Sequence, residues 1–256
     1  FPTSSFATEA QMELGDAAFG DGRFPEAARH YETAIPRANA DTAAAFRKLL
    51  PFEMTPAQTA AVAAVAKDLA SPTRMKRLLQ GDVGSGKTTV AAFALFAAAR
   101  AGRQGAILAP TEILAQQHFM TLSRLFVDAG VRVGLLCRGI SAAERAQTLA
   151  DAAQGKIDVL VGTHAIFQES IKFKRLEVLV VDEQHKFGVV QRQDLEKKSA
   201  APHVLLMTAT PIPQTLAMSL YGDMDVTEMK GRPAGRGKIS TLWTTSDRRS
   251  EMMAWI

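Results

Sequence analysis

The chain is 256 residues long, 47% apolar and 22% charged, with a formal net charge of +4. That suits one sizeable α/β domain with a small appendage. No apolar run approaches the length of a membrane span, nothing at the start resembles a signal peptide, and the lone cysteine, Cys137, excludes an internal disulfide and a cysteine-based zinc site. A cytoplasmic protein without a membrane partner is expected. Charge is unevenly spread: the first fifty residues hold five Lys/Arg against seven Asp/Glu, so the remainder carries +6. A basic excess there suits a polyanionic partner. Phe1 is not an initiator Met and a helical pattern runs to Ile256, so an excerpt of a longer protein is expected.

Residues 1–43 form the first expected unit, a helical segment. Leu14-Gly15, Ala27, Tyr31 and Ala34, with Gly20-Asp21-Gly22 between two helical patterns, resemble one tetratricopeptide-type hairpin. Ala18 stands where an aromatic is usual and no second copy follows, so a hairpin or linker is expected rather than a solenoid. A helix over Asp41–Leu50 is stopped by Pro51. Thr55-Pro56 then caps and starts a helix to about Ala70, and Arg74, Lys76 and Arg77 lead into a strand.

That strand opens the most informative stretch. Leu78–Thr88 joins an apolar run to Gly81-Asp82-Val83-Gly84-Ser85-Gly86-Lys87-Thr88-Thr89 and then to an Ala-rich helical segment from Val90 to Arg100. Strand, Gly-x-x-x-x-Gly-Lys-Thr and helix in this order are what a phosphate-binding loop requires. Glycines let the backbone wrap an anion with its N–H groups inward, and the helix N-terminus favours negative charge. Lys87 can then reach the β- and γ-phosphates of ATP, and the Thr88 hydroxyl can ligate Mg2+.

Downstream, apolar runs at Gly105–Ala109, Val131–Leu136, Asp158–Val161, Leu176–Val181 and Val204–Met207 alternate with helical patterns at Glu112–Asp128, Ala142–Gln154, Val190–Lys198 and Pro213–Leu220. Uniformly apolar strands separated by helices predict a doubly wound parallel sheet of the P-loop NTPase (RecA-like) type, with helices on both faces and ligands at the carboxyl ends of its strands. Asp225–Met229 and Lys238–Trp243 read as edge strands around Gly231–Gly237. The strand Leu176–Val181 runs straight into Asp182-Glu183. Asp182 is placed to hold Mg2+ opposite Thr88, and Glu183 to orient and deprotonate the attacking water.

In this order the motifs resemble those of superfamily 2 helicases. Asp182-Glu183-Gln184-His185 has the form of motif II. Phe52 with Met54-Thr55-Pro56-Ala57-Gln58 looks like a Q-type motif, whose glutamine reads the adenine edge. Ala109-Pro110-Thr111-Glu112 resembles motif Ia and Gly162-Thr163-His164 motif Ic, both of which touch the nucleic-acid backbone in the family. Thr208-Ala209-Thr210 resembles motif III, which couples nucleotide state to nucleic-acid grip, and the resemblance gives His185 and Arg192 coupling roles too. Each has a plainer reading: a helix cap for Pro110-Thr111, a turn for Gly162-Thr163, a core histidine for His185, a surface ion pair for Arg192.

From about Ala44 to Asp225 the chain is similar to the RecG family of branch-migrating DNA helicases. The resemblance implies ATP and Mg2+ as cofactors, branched double-stranded DNA (forks and four-way junctions) as partner, a single-stranded DNA-binding protein as a further partner, and a monomeric bacterial protein near the nucleoid. It implies a first helicase lobe over 44–230, and a linker with the start of a second lobe over 231–256, where Arg232 and Arg236 are candidate DNA contacts. There Arg232-Pro233-Ala234-Gly235-Arg236 departs from the family's Pro-Pro-Gly-Arg. The missing second lobe supplies an arginine finger in the family, so the chain alone is expected to turn over ATP very slowly. Two rival readings are a transcription–repair coupling translocase with the same motor, and a non-motor scaffold in which the ATP fold is only a switch.

Overall fold

Leu78 and Leu79 are neighbours in sequence but belong to different cores. Side chains alternate across a strand, so a strand buried on both faces is apolar throughout. The computed structural model describes residues 41–71, 73–163, 171–183, 202–210, 224–230 and 245. Within them, strands β1 (Lys76–Gly81), β2 (Gln104–Ala109), β3 (Val133–Leu136), β4 (Val159–Thr163), β5 (Leu176–Val181), β6 (His203–Thr208) and β7 (Asp225–Met229) form one sheet in the order β3-β4-β2-β5-β6-β1-β7. Every pairing is parallel. The chain has the RecA-like doubly wound fold that its sequence predicts.

One face of the sheet offers Leu79, Ile107, Val161, Val180, Leu205 and Met207 to a core shared with four helices. These are α1 (residues 41–49), α2 (Pro56–Leu69), α3 (Lys87–Arg100) and α4 (Glu112–Phe126). Helix α3 is rich in alanine and buried from Val90 to Phe96, which lets it lie close to β2. A Cβ on Gly105 would stand 2.5 Å from Leu95 Cδ2. Phe46 of α1 meets Phe93 edge-on, ring centroids 5.6 Å apart. On the other face Leu149 of α5 (Ala142–Gln154) packs over Leu136 and Leu160, and Leu78, Leu108, Leu179 and Leu206 form a separate cluster.

Among the boundaries that differ from the sequence reading, three have a visible cause. Lys76 and Arg77 lie inside β1 rather than before it. The strand tolerates Arg77 because every nitrogen of its guanidinium has a partner: Nε and Nη2 donate to Asp68 at 2.5 and 3.0 Å, and Nη1 donates to Thr227 Oγ1 at 2.6 Å. Helix α4 ends at Phe126, not Asp128, where a 3-10 turn over Val127–Ala129 closes on left-handed Gly130. Strand β3 starts at Val133 rather than Val131, because the Arg132 N–H donates to the Asp158 carboxylate instead of the ladder. Cys137 is buried. The expected hairpin in residues 1–40, the helices over 190–198 and 213–220 and the strand over 238–243 lie outside the described residues. Among the described residues no helix is long and apolar enough to cross a membrane.

Candidate nucleotide site at the carboxyl edge of the sheet

Parallel strands all end at the same edge, so this topology gathers the sequence motifs along one line. In sheet order that edge carries Gly162-Thr163 (β4), Ala109-Pro110-Thr111 (β2), Asp182-Glu183 (β5), Thr208-Ala209-Thr210 (β6) and the glycine loop (β1). The register pairs Ala109 with Thr163 and Gln80 with Thr208.

The loop is shaped by its glycines. Gly84 and Gly86 sit at φ 80° and 88°, the left-handed region that ordinary side chains disfavour. Gly86 is the N-cap of α3 and supplies no side-chain cap, so the first N–H groups of that helix remain for an anion in the loop. A Cβ on Gly81 would lie 2.7 Å from Ser85 Oγ and 3.0 Å from Met229 Cβ. Ser85 Oγ itself is buried with no hydrogen-bond partner among the described residues. Lys87 Nζ donates to the carbonyls of Gly81 at 2.6 Å and Asp82 at 3.1 Å, which stretches it across the loop mouth. Burial lowers the Lys87 ammonium below its ordinary value, against the opposing pull of the Glu183, Asp182 and Asp82 carboxylates. Those carboxylates are thus near enough for Lys87 to sense them.

Asp182 is tied to the neighbouring strand and helix. Its N–H donates to the Leu108 carbonyl at 2.8 Å, and its Oδ2 accepts from His118 Nε2 at 2.8 Å. Glu183 has φ 51°, the one positive-φ non-glycine among the described residues. Such a conformation costs roughly 1–3 kcal/mol and persists where surroundings impose it, often at functional sites. Thr88 sits in the first turn of α3. Among the described residues no group of three or more His, Cys, Asp or Glu could hold a metal by itself. A hydroxyl and one carboxylate nevertheless fit Mg2+, which takes one or two protein oxygens and completes its shell with water and substrate phosphates.

Phe52 is half exposed in the segment that leads into α2, with ring surface open to a ligand. Gln58 is only 4% exposed, and both ends of its amide are engaged within the chain. Oε1 accepts from Thr55 N–H at 2.8 Å in a capping box, and Nε2 donates to the Ser85 carbonyl at 3.2 Å. These bonds brace the glycine loop against α2, and an amide has a second N–H and a second lone pair with which to meet an adenine edge. Thr208 and Thr210 bond each other, Oγ to Oγ at 2.9 Å, and Thr210 N–H donates back to Thr208 Oγ1 at 3.2 Å, closing a tight turn after β6.

Thr111 caps α4, its Oγ1 accepting from Leu114 N–H at 3.3 Å, as the plainer reading had it; it remains exposed beside Pro110. Gly162 and Thr163 are buried at the end of β4. Val83 and Asp82 are exposed at the loop apex, and Thr89 follows Thr88 in the first turn of α3. His164, His185, Arg192, Arg232 and Arg236 lie outside the described residues. The sequence reading missed His118. Its signal was a lone histidine in the buried stripe Ala115, His118, Leu122, Phe126 of α4, where a polar ring demands a partner.

Residues 55–219 match the DEAD/DEAH box helicase family, a span of more than half the chain. The chain belongs to the DEAD/DEAH box helicases. Among named helicases of this kind, it is 49% identical over 211 residues to the ATP-dependent DNA helicase RecG of Bacillus subtilis, covering 82% of this chain and 31% of that protein. It is 46% identical over 207 residues to RecG of Streptococcus pneumoniae serotype 4, covering 81% of this chain and 31% of that one. A solved structure of RecG bound to a three-way DNA junction matches this helicase fold with a TM-score of 0.74 and 35% identity, over 89% of this chain and 34% of that one. The DUF1998 helicase MrfA bound to DNA shares the fold alone, at a TM-score of 0.57 and 19% identity over 73% of this chain and 29% of that one. The chain spans about a third of the length of the RecG proteins it matches. The similarity to RecG-type helicases that the motifs implied is therefore present across most of the chain.

Proposed function

We propose that residues 44–230 are the first motor lobe of an ATP-dependent double-stranded DNA translocase that remodels forks and four-way junctions in recombination and repair. The observation that carries this is the alignment of Lys87, Asp182-Glu183 and Thr208–Thr210 with the motif Ia and Ic segments along one sheet edge, in a chain so similar to RecG. In the reaction, loop N–H groups and the N-terminus of α3 cradle the phosphates, and Lys87 exchanges its loop carbonyls for phosphate oxygens. Thr88 and Asp182 would hold Mg2+, which when bound neutralises charge on the phosphates. Glu183 accepts the proton of the attacking water. Phe52 lies against the adenine.

Pro110, Thr111, Gly162, Thr163, His164, Arg232 and Arg236 hold DNA phosphates, with His185, Thr208, Thr210 and Arg192 relaying nucleotide state to that grip. Phosphate contacts position DNA without reading its sequence, so binding falls steeply with salt. Residues 231–256 lead to a second lobe, without which turnover is slower by roughly three to five orders of magnitude, as in other NTPases stripped of an arginine finger. The protein works as a monomer in the bacterial cytoplasm near the nucleoid, beside single-stranded DNA-binding protein. The test is ATP hydrolysis by the full-length protein with and without a synthetic replication fork, beside a Lys87→Ala variant. Fork-stimulated hydrolysis that vanishes in the variant is expected. ATP binding unaffected by any DNA would overturn the motor reading in favour of a switch.

A further inference from the structure

Asp182 is held at both its backbone and its side chain by one continuous stretch of chain, β2 and α4. Its N–H reaches the Leu108 carbonyl at the end of β2, and its Oδ2 meets His118 Nε2 two turns into α4. His118 is 7% exposed, and its ring lies on the face that α4 turns to the core. An ionised carboxylate only accepts, so the ring nitrogen facing it carries the proton, and one of the two Asp182 oxygens is thereby committed. The bond commits Oδ2 and restrains the carboxylate, in a residue whose charge acts on Lys87 of the glycine loop. Hydrogen bonds behind a ligating group are how proteins orient it, and losing one typically weakens metal binding by roughly ten- to a hundredfold.

We propose that His118 is a positioning residue for the metal-binding carboxylate: its Nε2–H holds Asp182 in the orientation that receives Mg2+ with the bound nucleotide. This rests on the reading of the loop as a Mg2+–nucleotide site. A packing role alone predicts something different, because the volume of the ring can be kept while its N–H is removed. Phenylalanine does that. Glutamine, conversely, places an amide N–H at nearly the reach of Nε2 on an unbranched stem.

The experiment uses the full-length protein and a fluorescent ADP analogue, titrated at fixed concentration with Mg2+ and separately without metal in EDTA. Mn2+ is then substituted and its bound state followed by electron paramagnetic resonance. For His118→Phe, the metal concentration for half-maximal effect is expected to rise by about tenfold or more, with metal-free nucleotide binding unchanged. His118→Gln should bring that concentration back to within about threefold of the wild type, and the Mn2+ spectrum with it. An unchanged metal requirement in His118→Phe overturns the proposal, and so does a His118→Gln variant as impaired as the phenylalanine one. Should His118→Phe not fold, His118→Asn replaces it, since its amide is too short to reach Asp182. The Lys87→Ala variant keeps the two readings apart: if the wild type binds no nucleotide that Lys87→Ala loses, the site reading has failed, whatever His118 does.

Discussion

The side-chain amide of Gln58 fills the space that any side chain on Gly86 would need. A Cβ built on Gly86 falls 2.0 Å from Gln58 Nε2, which is itself donating to the Ser85 carbonyl at 3.2 Å. Gly86 also has φ 88°, where an L side chain is strained even in open space. Gly86→Ala therefore has no relaxed solution: it must break the Gln58 brace and distort the loop at once. The expected result is loss of detectable nucleotide binding in a fluorescent-ADP titration, with destabilisation of roughly 1–3 kcal/mol in thermal melts. Binding within threefold of the wild type would show that the loop reshapes without the brace.

Glu183 separates binding from chemistry. It is assigned the proton of the attacking water, whereas anion and metal contacts fall to the loop, Thr88 and Asp182. Glu183→Gln keeps the size and the backbone of the residue, including its left-handed φ of 51°. Hydrolysis should fall by about two to four orders of magnitude while Mg2+–ATP affinity stays within a few-fold. Single-turnover rates beside equilibrium binding give both numbers, and equal losses in the two would remove Glu183 from the role of base.

Arg77 joins α2, β1 and β7. Its fork donates to both Asp68 oxygens, its remaining nitrogen to Thr227, and Asp225 lies 3.5 Å away. Lysine cannot reproduce a planar fork. Arg77→Lys is expected to cost about 2 kcal/mol, a fall in Tm of roughly 4–8 °C for a domain of this size. Combined with Asp68→Asn, the two losses should be clearly less than additive in a double-mutant cycle.

Acid stability has an identifiable source at the opposite edge of the sheet. Glu177 is lowered from the ordinary 4.5 to about 2 by its hydrogen bond to His203, helped by Arg74, against the opposing effect of burial. His203 Nδ1 accepts from the Met75 N–H at 3.0 Å, which leaves its Nε2 to face Glu177 at 3.4 Å. A depressed carboxyl stabilises the fold in full above its unfolded value and loses that contribution as pH falls through its folded one. Glu177→Gln should melt lower than wild type near neutral pH. The two melting curves should converge as pH drops from 4.5 toward 2. A gap that stays constant across that window would mean the carboxylate charge is irrelevant to it.

Regular elements were legible wherever local pattern decides them. Strand β5 and helix α5 have the predicted bounds, Leu176–Val181 and Ala142–Gln154, because an apolar run and a Ser141–Glu144 capping box are both complete within a few residues. The loop was legible for the same reason. What escaped is pairwise and distant. Gln58 advertises its bond to Thr55 by the three-residue spacing of a capping box, but its bond to Ser85 spans 27 residues and leaves no pattern. His118 and Asp182 are 64 apart. Arg77 looked like a pre-strand charge, because a buried strand accepts arginine only when partners from other elements neutralise it, and sequence order does not announce Thr227, 150 positions later. The φ of Glu183 was equally silent, since its residue type gives no hint of a left-handed backbone.

The position of β1 in the sheet also sets when the site can come into being. Its neighbours are β6 and β7, so Leu78 finds its ladder partners only at Leu206 and Val226. A ribosome releasing this chain exposes β1 early, while β2 to β5 can already pair among themselves as they emerge. Until residue 208 is made, Leu78 and Leu79 are an unpaired apolar strand waiting in the nascent chain, the kind of segment that holding chaperones recognise. The phosphate loop hangs from that strand, so it is assembled last. A premature stop before β6 would leave a half-sheet lacking both strands that β1 pairs with.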